Sequence, residues 1–286
     1  MILKFYKKVI LFFLTTISTL LVLFFGTGAI DHQINKNIYQ GDKVAILGNS
    51  HAKTAINDSI LTNNSNVSYT NYGVNGQSMF WSIVAGRKLY HQGVRNFIIE
   101  LNNGSYTSGW KTTDKPRGSR EFYNRHYITF SEWKSLYKQD VLFTIRMFSY
   151  LHLPTKKISG GYEKLTKEFS NQIVKENVSV LKEDTINIDF DDAMLHEFIK
   201  SHPDATFFIL RVPQHRNFYQ RISPQLEKKF QNKIAHFSRH SNCDVIDFGH
   251  TFNNDSLFAD IGHMNFKGSH QFSYQLLDSL KIMTGK

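Results

Sequence analysis

One cysteine, Cys243, stands among 286 residues. An intramolecular disulfide is therefore impossible, and a cysteine-based zinc site is excluded. Cys243 lies in the apolar stretch Cys243-Asp244-Val245-Ile246 and reads as a small buried core residue. Prolines number five, and nothing resembles a Pro-rich linker, an internal repeat or a low-complexity tract, which excludes solenoids and arrays. Acidic residues are the minority: 24 Asp and Glu against 34 Lys and Arg leave a net charge of +10. The basic residues are scattered, not gathered into an arm, which argues against nucleic acid. An anionic polymer or a lipid headgroup surface suits them better, the bland alternative being a solvated basic surface with no specific ligand.

Charge is missing altogether between Val9 and Ile30, after Lys4, Lys7 and Lys8 and before Asp31. Such a run makes about 33 Å of helix, enough to cross a hydrocarbon core of roughly 30 Å. The preceding lysines place the N-terminus in the cytoplasm and everything after Asp31 outside. A cleaved signal peptide is the competing reading, with Thr27-Gly28-Ala29 as a poor cleavage site. The run is long for a signal sequence, so an uncleaved anchor over residues 1–30 is expected, followed by one α/β domain over 31–286. No cysteine near the anchor is available to carry a lipid.

Short runs of β-branched and apolar residues that stop at Gly, Asn or Pro predict buried parallel strands at Val44–Leu47, Val67–Tyr72, Asn96–Leu101, Thr206–Val212 and Asp244–Phe248. Helical spacing predicts helices over Ser78–Gln92, Pro224–Ser241 and Phe266–Met283. Strands alternating with helices give a three-layer α/β/α, flavodoxin-like fold with about five parallel strands, preceded by the transmembrane helix. The stretch 105–192 breaks the rhythm. It begins polar, aromatic and basic, then carries helical patterns around Asp140–Leu151 and Tyr162–Leu181. It reads as an insertion at the carboxyl edge of the sheet, forming a wall or lid of the site.

Four polar clusters follow strands or open the last helix. In Gly48-Asn49-Ser50-His51 a serine just past a strand can present its hydroxyl at the sheet edge, its N–H near a helix N-terminus; taken alone, a helix-capping serine is the commoner case. Asp260-Ile261-Gly262-His263 supplies a histidine with a local carboxylate, which fixes its tautomer; such turns are also frequent in surface loops. Asn71 to Ser78 and Leu101-Asn102-Asn103-Gly104 offer glycine and asparagine N–H donors, or simply turn residues. His51 either lines the pocket or sits in the first helical turn. His215, after the fourth strand, is a substrate contact or a loop residue. His236, His240 and His250 show no metal spacing and read as surface groups; no metal or cofactor is expected.

In this order and spacing the clusters resemble the four blocks of the SGNH (GDSL-like) hydrolase superfamily, across nearly all of residues 44–283. Ser50 matches the nucleophile, with Asn49 where the family usually has Asp. The resemblance implies His263 as base, Asp260 as its orienting acid, and Gly76 as the oxyanion glycine. The family's G-x-N-D block is altered here, and alignment puts Asn103, or alternatively Asn102, at the oxyanion position. The activity implied is that of an esterase or O-acyltransferase acting on acyl, expectedly acetyl, esters of a cell-envelope or extracellular polysaccharide. A transferase would need a membrane-bound acyl-delivery partner. The alternative is a non-catalytic protein of the same fold that binds polysaccharide or assists polymer assembly.

Overall fold

The structure is a computed structural model that describes residues 2–36, 38–39, 43–103, 127–139, 141, 160–167, 169 and 185–284. Strands β1 (Lys43–Leu47), β2 (Ser68–Asn71), β3 (Asn96–Glu100), β4 (Thr206–Arg211) and β5 (Cys243–Asp247) form one sheet in the order β2-β1-β3-β4-β5, every neighbouring pair parallel. The apolar runs span these strands because both faces of the sheet are covered. Ala45, Leu47, Phe97, Ile99, Phe207 and Ile209 point into one core, shared with α4 (Met79–His91), α6 (Thr185–Lys200) and α8 (Pro224–Phe237). Val44, Ile46, Ile98, Phe208 and Leu210 point into the other, under α2 (Ser50–Ala55), α3 (Asp58–Asn63) and α9 (Phe266–Thr284). The expected three-layer α/β architecture is present. β1 has β2 on one side and β3 on the other, so the chain switches direction at its carboxyl end, where open α/β sheets form crevices.

Helix α1 runs from Ile2 to Asn35. Among the described residues no helix is long and apolar enough to cross a membrane, so the expected transmembrane helix is not found there; the side chains at 20 and 23–25, inside the charge-free run, lie outside that set. Ile10, Leu11, Phe12, Phe13, Leu14, Ile17, Leu21, Val22 and Ile30 of α1 are each at least half exposed. The C-terminal end of α1 is docked. Asp31 is buried 3.9 Å from Lys88 Nζ and accepts from the Tyr127 hydroxyl at 3.2 Å. The His32 ring meets the His91 ring at 4.4 Å, and Tyr39 N–H donates to the Gln92 carbonyl. Lys88 and His91 end α4 beside the start of β3, so α1 attaches at the amino edge of the sheet.

The expected insertion differs from its reading where it is described. Helix α5 (Phe130–Gln139) was not foreseen; it buries Trp133 and Leu136 and clamps Glu132 on Arg87 through two bonds of 2.7 Å. Residues 162–167 and 169, expected as the start of a helix, are not helical. Their backbone is used by neighbours instead: Gly161 N–H donates to Asn71, Glu163 N–H to Lys53, and Leu165 accepts from Phe266 N–H. The remainder of that expected helix, and all of Asp140–Leu151 except residue 141, lie outside the described residues. Helix α6 begins inside the range expected for the insertion and packs against α4 as the crossover into β4.

Candidate active site

The turn after β1 frees a serine. Asn49 is the N-cap of α2, its side-chain oxygen accepting from His51 N–H at 2.8 Å. Capping is thus done by the residue before Ser50, and the Ser50 hydroxyl is not engaged in it. Asn71, fully buried at the end of β2, holds the far end of α2: its amide donates to the Ala52 and Ile56 carbonyls at 2.9 and 2.8 Å and accepts from Gly73 N–H at 2.9 Å.

A second turn comes from the other end of the chain. Phe258 and Met264 form an antiparallel bridge, and the Asn265 amide donates to the Ser256 and Phe258 carbonyls. Gly268, in the first turn of α9, lets Leu257 approach; a Cβ there would lie 2.0 Å from the Leu257 carbonyl oxygen. Within the turn Asp260 Oδ1 accepts from the Gly262 and His263 N–H groups at 2.8 and 2.9 Å. His263 Nδ1 faces Asp260 Oδ1 and Oδ2 at 2.9 and 3.0 Å. Burial pushes the Asp260 carboxyl up, but the His263 imidazole and the two N–H donors outweigh it and hold the group below its ordinary range.

The two turns meet at the carboxyl edge. His263 Nε2 lies 2.8 Å from Ser50 Oγ. Ser50, His263 and Asp260 therefore form one hydrogen-bonded line across 213 residues of sequence. Asp260, as an ionised acceptor, requires Nδ1 to carry the proton, which leaves Nε2 free to accept from the serine. This is the arrangement of a nucleophile, its base and the group that orients the base. Among the described residues no group of three or more His, Cys, Asp or Glu could hold a metal ion.

The expected oxyanion donors are placed unequally. Gly76 sits at φ +71° in the turn after β2, the left-handed conformation that favours glycine; nearby, Val74 N–H is tied to the Gly48 carbonyl at 3.1 Å. Asn103 is engaged with Glu227 and Arg211. Its amide donates to Glu227 Oε2 at 2.7 Å and its oxygen accepts from Arg211 at 2.6 Å, because Arg211 is buried and draws Glu227 and Asp247 around it. Asn102, the alternative, lies behind the nucleophile turn: its Nδ2 contacts Glu100 Oε1 at 2.5 Å and His51 Nδ1 at 2.8 Å.

His51 and His215 are both buried. His51 is buried and its ring stacks on that of His263, 4.9 Å between centroids at 21°. Burial, then the neighbouring His263, push its pKa down to about 3. His215, expected as a substrate contact or a loop residue, is placed as a cap. It is 1% exposed, caps α7 (Arg216–Tyr219) through Nδ1, and its Nε2 faces Asp255 at 3.1 Å. Its own N–H donates to the Ile261 carbonyl, so it braces the Asp260–His263 turn. His240, read as a surface group, faces His196 at 2.9 Å.

Two residues at the site went unread. Glu100 ends β3 fully buried behind Gly48, and Gln214 lies 3.4 Å from His51 Nε2. A carboxylate inside the apolar run Asn96-Phe97-Ile98-Ile99-Glu100-Leu101 was the available signal for the first. Gln214 carried none beyond its place next to His215.

No family model matches the chain, and no curated protein matches it. Solved structures that resemble it include a family two carbohydrate esterase from Clostridium thermocellum in complex with cellohexaose (9% identity, TM-score 0.44, covering 85% of this chain and 65% of that one). A carbohydrate acetylesterase family member from Sinorhizobium meliloti (11%, TM-score 0.42, 86% and 100%) and a putative platelet activating factor from Streptococcus pneumonia (11%, TM-score 0.40, 94% and 98%) are also similar. The chain spans about 65% of the length of the Clostridium enzyme.

Proposed function

We propose that the protein is a serine esterase that removes acyl groups, acetyl above all, from an exported or cell-envelope polysaccharide. The observation that carries this reading is the 2.8 Å contact between Ser50 Oγ and His263 Nε2, with Asp260 on the opposite ring nitrogen. His263 takes the Ser50 proton as Oγ attacks the ester carbonyl. Collapse of the tetrahedral intermediate expels the alcohol, which takes that proton from His263 and leaves an acyl-Ser50. Water, activated by the same imidazole, then releases the acid and restores the serine. The Ser50 and Gly76 N–H groups are the proposed oxyanion donors. A sugar hydroxyl in place of water would make the protein an O-acyltransferase, with a membrane-bound partner delivering the acyl group.

The charge-free run from Val9 to Ile30 and the lysines before it support α1 as a single-pass anchor, N-terminus in the cytoplasm and domain outside. The polysaccharide follows from that location and from the net charge of +10, which suits an anionic polymer. A second reading, a polysaccharide-binding protein without catalysis, is favoured by one observation: Asn103 is diverted to Arg211 and Glu227, so the side-chain oxyanion donor implied by the family resemblance is not at hand.

Full-length chain in detergent, assayed with p-nitrophenyl acetate and with acetylated oligosaccharides, separates the readings. Hydrolysis that Ser50→Ala abolishes is expected. Polysaccharide binding with no Ser50-dependent turnover would establish the second reading, and acyl transfer to an added sugar the transferase.

A further inference from the structure

We propose that Glu100, acting through Asn102 and His51, is a positioning residue for the Ser50–His263 pair: a second buried carboxylate behind the nucleophile turn. This rests on the esterase reading above. The contacts form one connected chain. Glu100 Oε2 receives a long contact from Asn49 N–H at 3.4 Å, and Oε1 accepts from Asn102 Nδ2 at 2.5 Å. The same Nδ2 donates to His51 Nδ1 at 2.8 Å. The His51 ring then lies flat against the His263 imidazole. Nothing but glycine fits at residue 48, since a Cβ there would meet both Glu100 Cβ and Ala52 Cβ at 2.8 Å. The carboxylate and the nucleophile turn are thus packed as one unit.

Both amide hydrogens of Asn102 go to acceptors, so His51 Nδ1 must be unprotonated and its proton must sit on Nε2. Gln214 Oε1 is buried without a partner among the described residues, while Gln214 Nε2 lies 3.4 Å from His51 Nε2. Exchanging the two amide ends would put an oxygen 3.4 Å from His51 Nε2, where it can accept that proton. His51 is surrounded by Asn102, Gln214, Glu100 at 4.0 Å, His263, Asp260 beyond it, Phe218 at its edge and the backbone of Gly262. Kept neutral there, it adds no repulsion when His263 takes the serine proton.

Glu100 faces Asn49 N–H, Asn102 and His51 directly, with His263 behind them. Burial raises its pKa to about 7, partly offset by the Asn102 and Asn49 donors and by His263. Its ionised form attracts the imidazolium that forms on His263 in the transition state. Asp260 does this from one side of the ring; Glu100 does it at longer range, across His51.

The test uses the full-length chain in detergent and an alkyl fluorophosphonate that labels reactive serines, followed from about pH 5 to about pH 9 beside kcat and KM on p-nitrophenyl acetate. Glu100→Gln is expected to lower kcat and labelling about ten-fold with KM within about two-fold, and to remove about one proton from the slope of the acid limb. A residue that only supports the fold would not change that slope. His51→Phe is expected to lose a similar factor, and His51→Asn, which keeps an acceptor near the Nδ1 position, to recover part of it. A Glu100→Gln enzyme with the wild-type slope and kcat overturns the proposal. Failure of the wild type to label at Ser50 sinks the esterase reading instead. The carboxylate is then judged by infrared difference spectra between the same pH limits: a protonated-carboxyl band lost in Glu100→Gln supports it, and no such band overturns it.

Discussion

Ser50 and His263 are brought to 2.8 Å by turns that each have their own local scaffold, the Asn49 cap on one side and the Asp260 oxygen with its two N–H donors on the other. Replacing Ser50 by Ala is therefore expected to lower esterase kcat by about 10⁴-fold or more with the far-ultraviolet circular dichroism unchanged. Asp260→Asn is expected to cost about 10²–10⁴-fold, because an amide nitrogen turned toward His263 would force the wrong tautomer. Buried titratable groups also set the pH dependence of stability. Glu100 is raised from 4.5 to about 7 in the fold, so the native state holds its proton more tightly than the unfolded chain. That contribution is present at low pH and is lost as pH rises through about 7, on the order of 3 kcal/mol. His51 runs the other way: lowered from 6.5 to about 3, it costs stability as pH falls through that window. Urea denaturation should find a plateau between roughly pH 4.5 and 6.5, where the two slopes oppose each other, and Glu100→Gln should turn that plateau into a rise toward about pH 6.5.

The strands were legible because the sheet is covered on both faces, which turns each strand into an unbroken apolar word ending in Gly, Asn or Pro; β1, β3 and β4 begin and end within about a residue or two of their expected bounds. Ser50 was legible for the same reason, as a polar residue just past such a word, and Asp260 and His263 as a short acid–histidine turn before the last helix. Glu100 was hidden inside one, and the role of Asn103 was hidden because Arg211, Glu227 and Asp247 come from β4, α8 and β5 and are brought together only by the fold. Residues 162–167, expected as helix, are not helical because their hydrogen bonds go to Lys53 and Phe266, partners that no local pattern announces. Asn71 is the joint on which α2 depends. Asn71→Ala would leave the Ala52 and Ile56 carbonyls and Gly73 N–H without this partner in a buried site, and is expected to cost ~2–4 kcal/mol in urea denaturation, with loss of activity following the displaced Ser50 turn.

At the scale of the whole molecule, the proposed anchoring role of the N-terminal helix would set where the proposed chemistry takes place. Deleting residues 1–35 is expected to move the protein from a carbonate-washed membrane pellet to the supernatant, and to lower its unfolding midpoint, since Lys88, buried at 1% exposure, loses the Asp31 carboxylate. Lys88→Met in the shortened chain should regain part of that loss, which thermal melts would show. The docking at Lys88, His91 and Gln92 has a directional result. Those residues mark the amino edge of the sheet, whereas Ser50 and His263 lie at the carboxyl edge, about 16 Å further along five-residue strands. With α1 in a bilayer as proposed, the catalytic mouth opens away from the lipid, like a lamp on a short post facing the street. It would meet polymer arriving from the outer layers, and an acyl donor handed up from the membrane plane would have to travel around the domain to reach Ser50. On the proposed anchoring, that orientation would favour trimming finished polysaccharide over decorating it as it emerges.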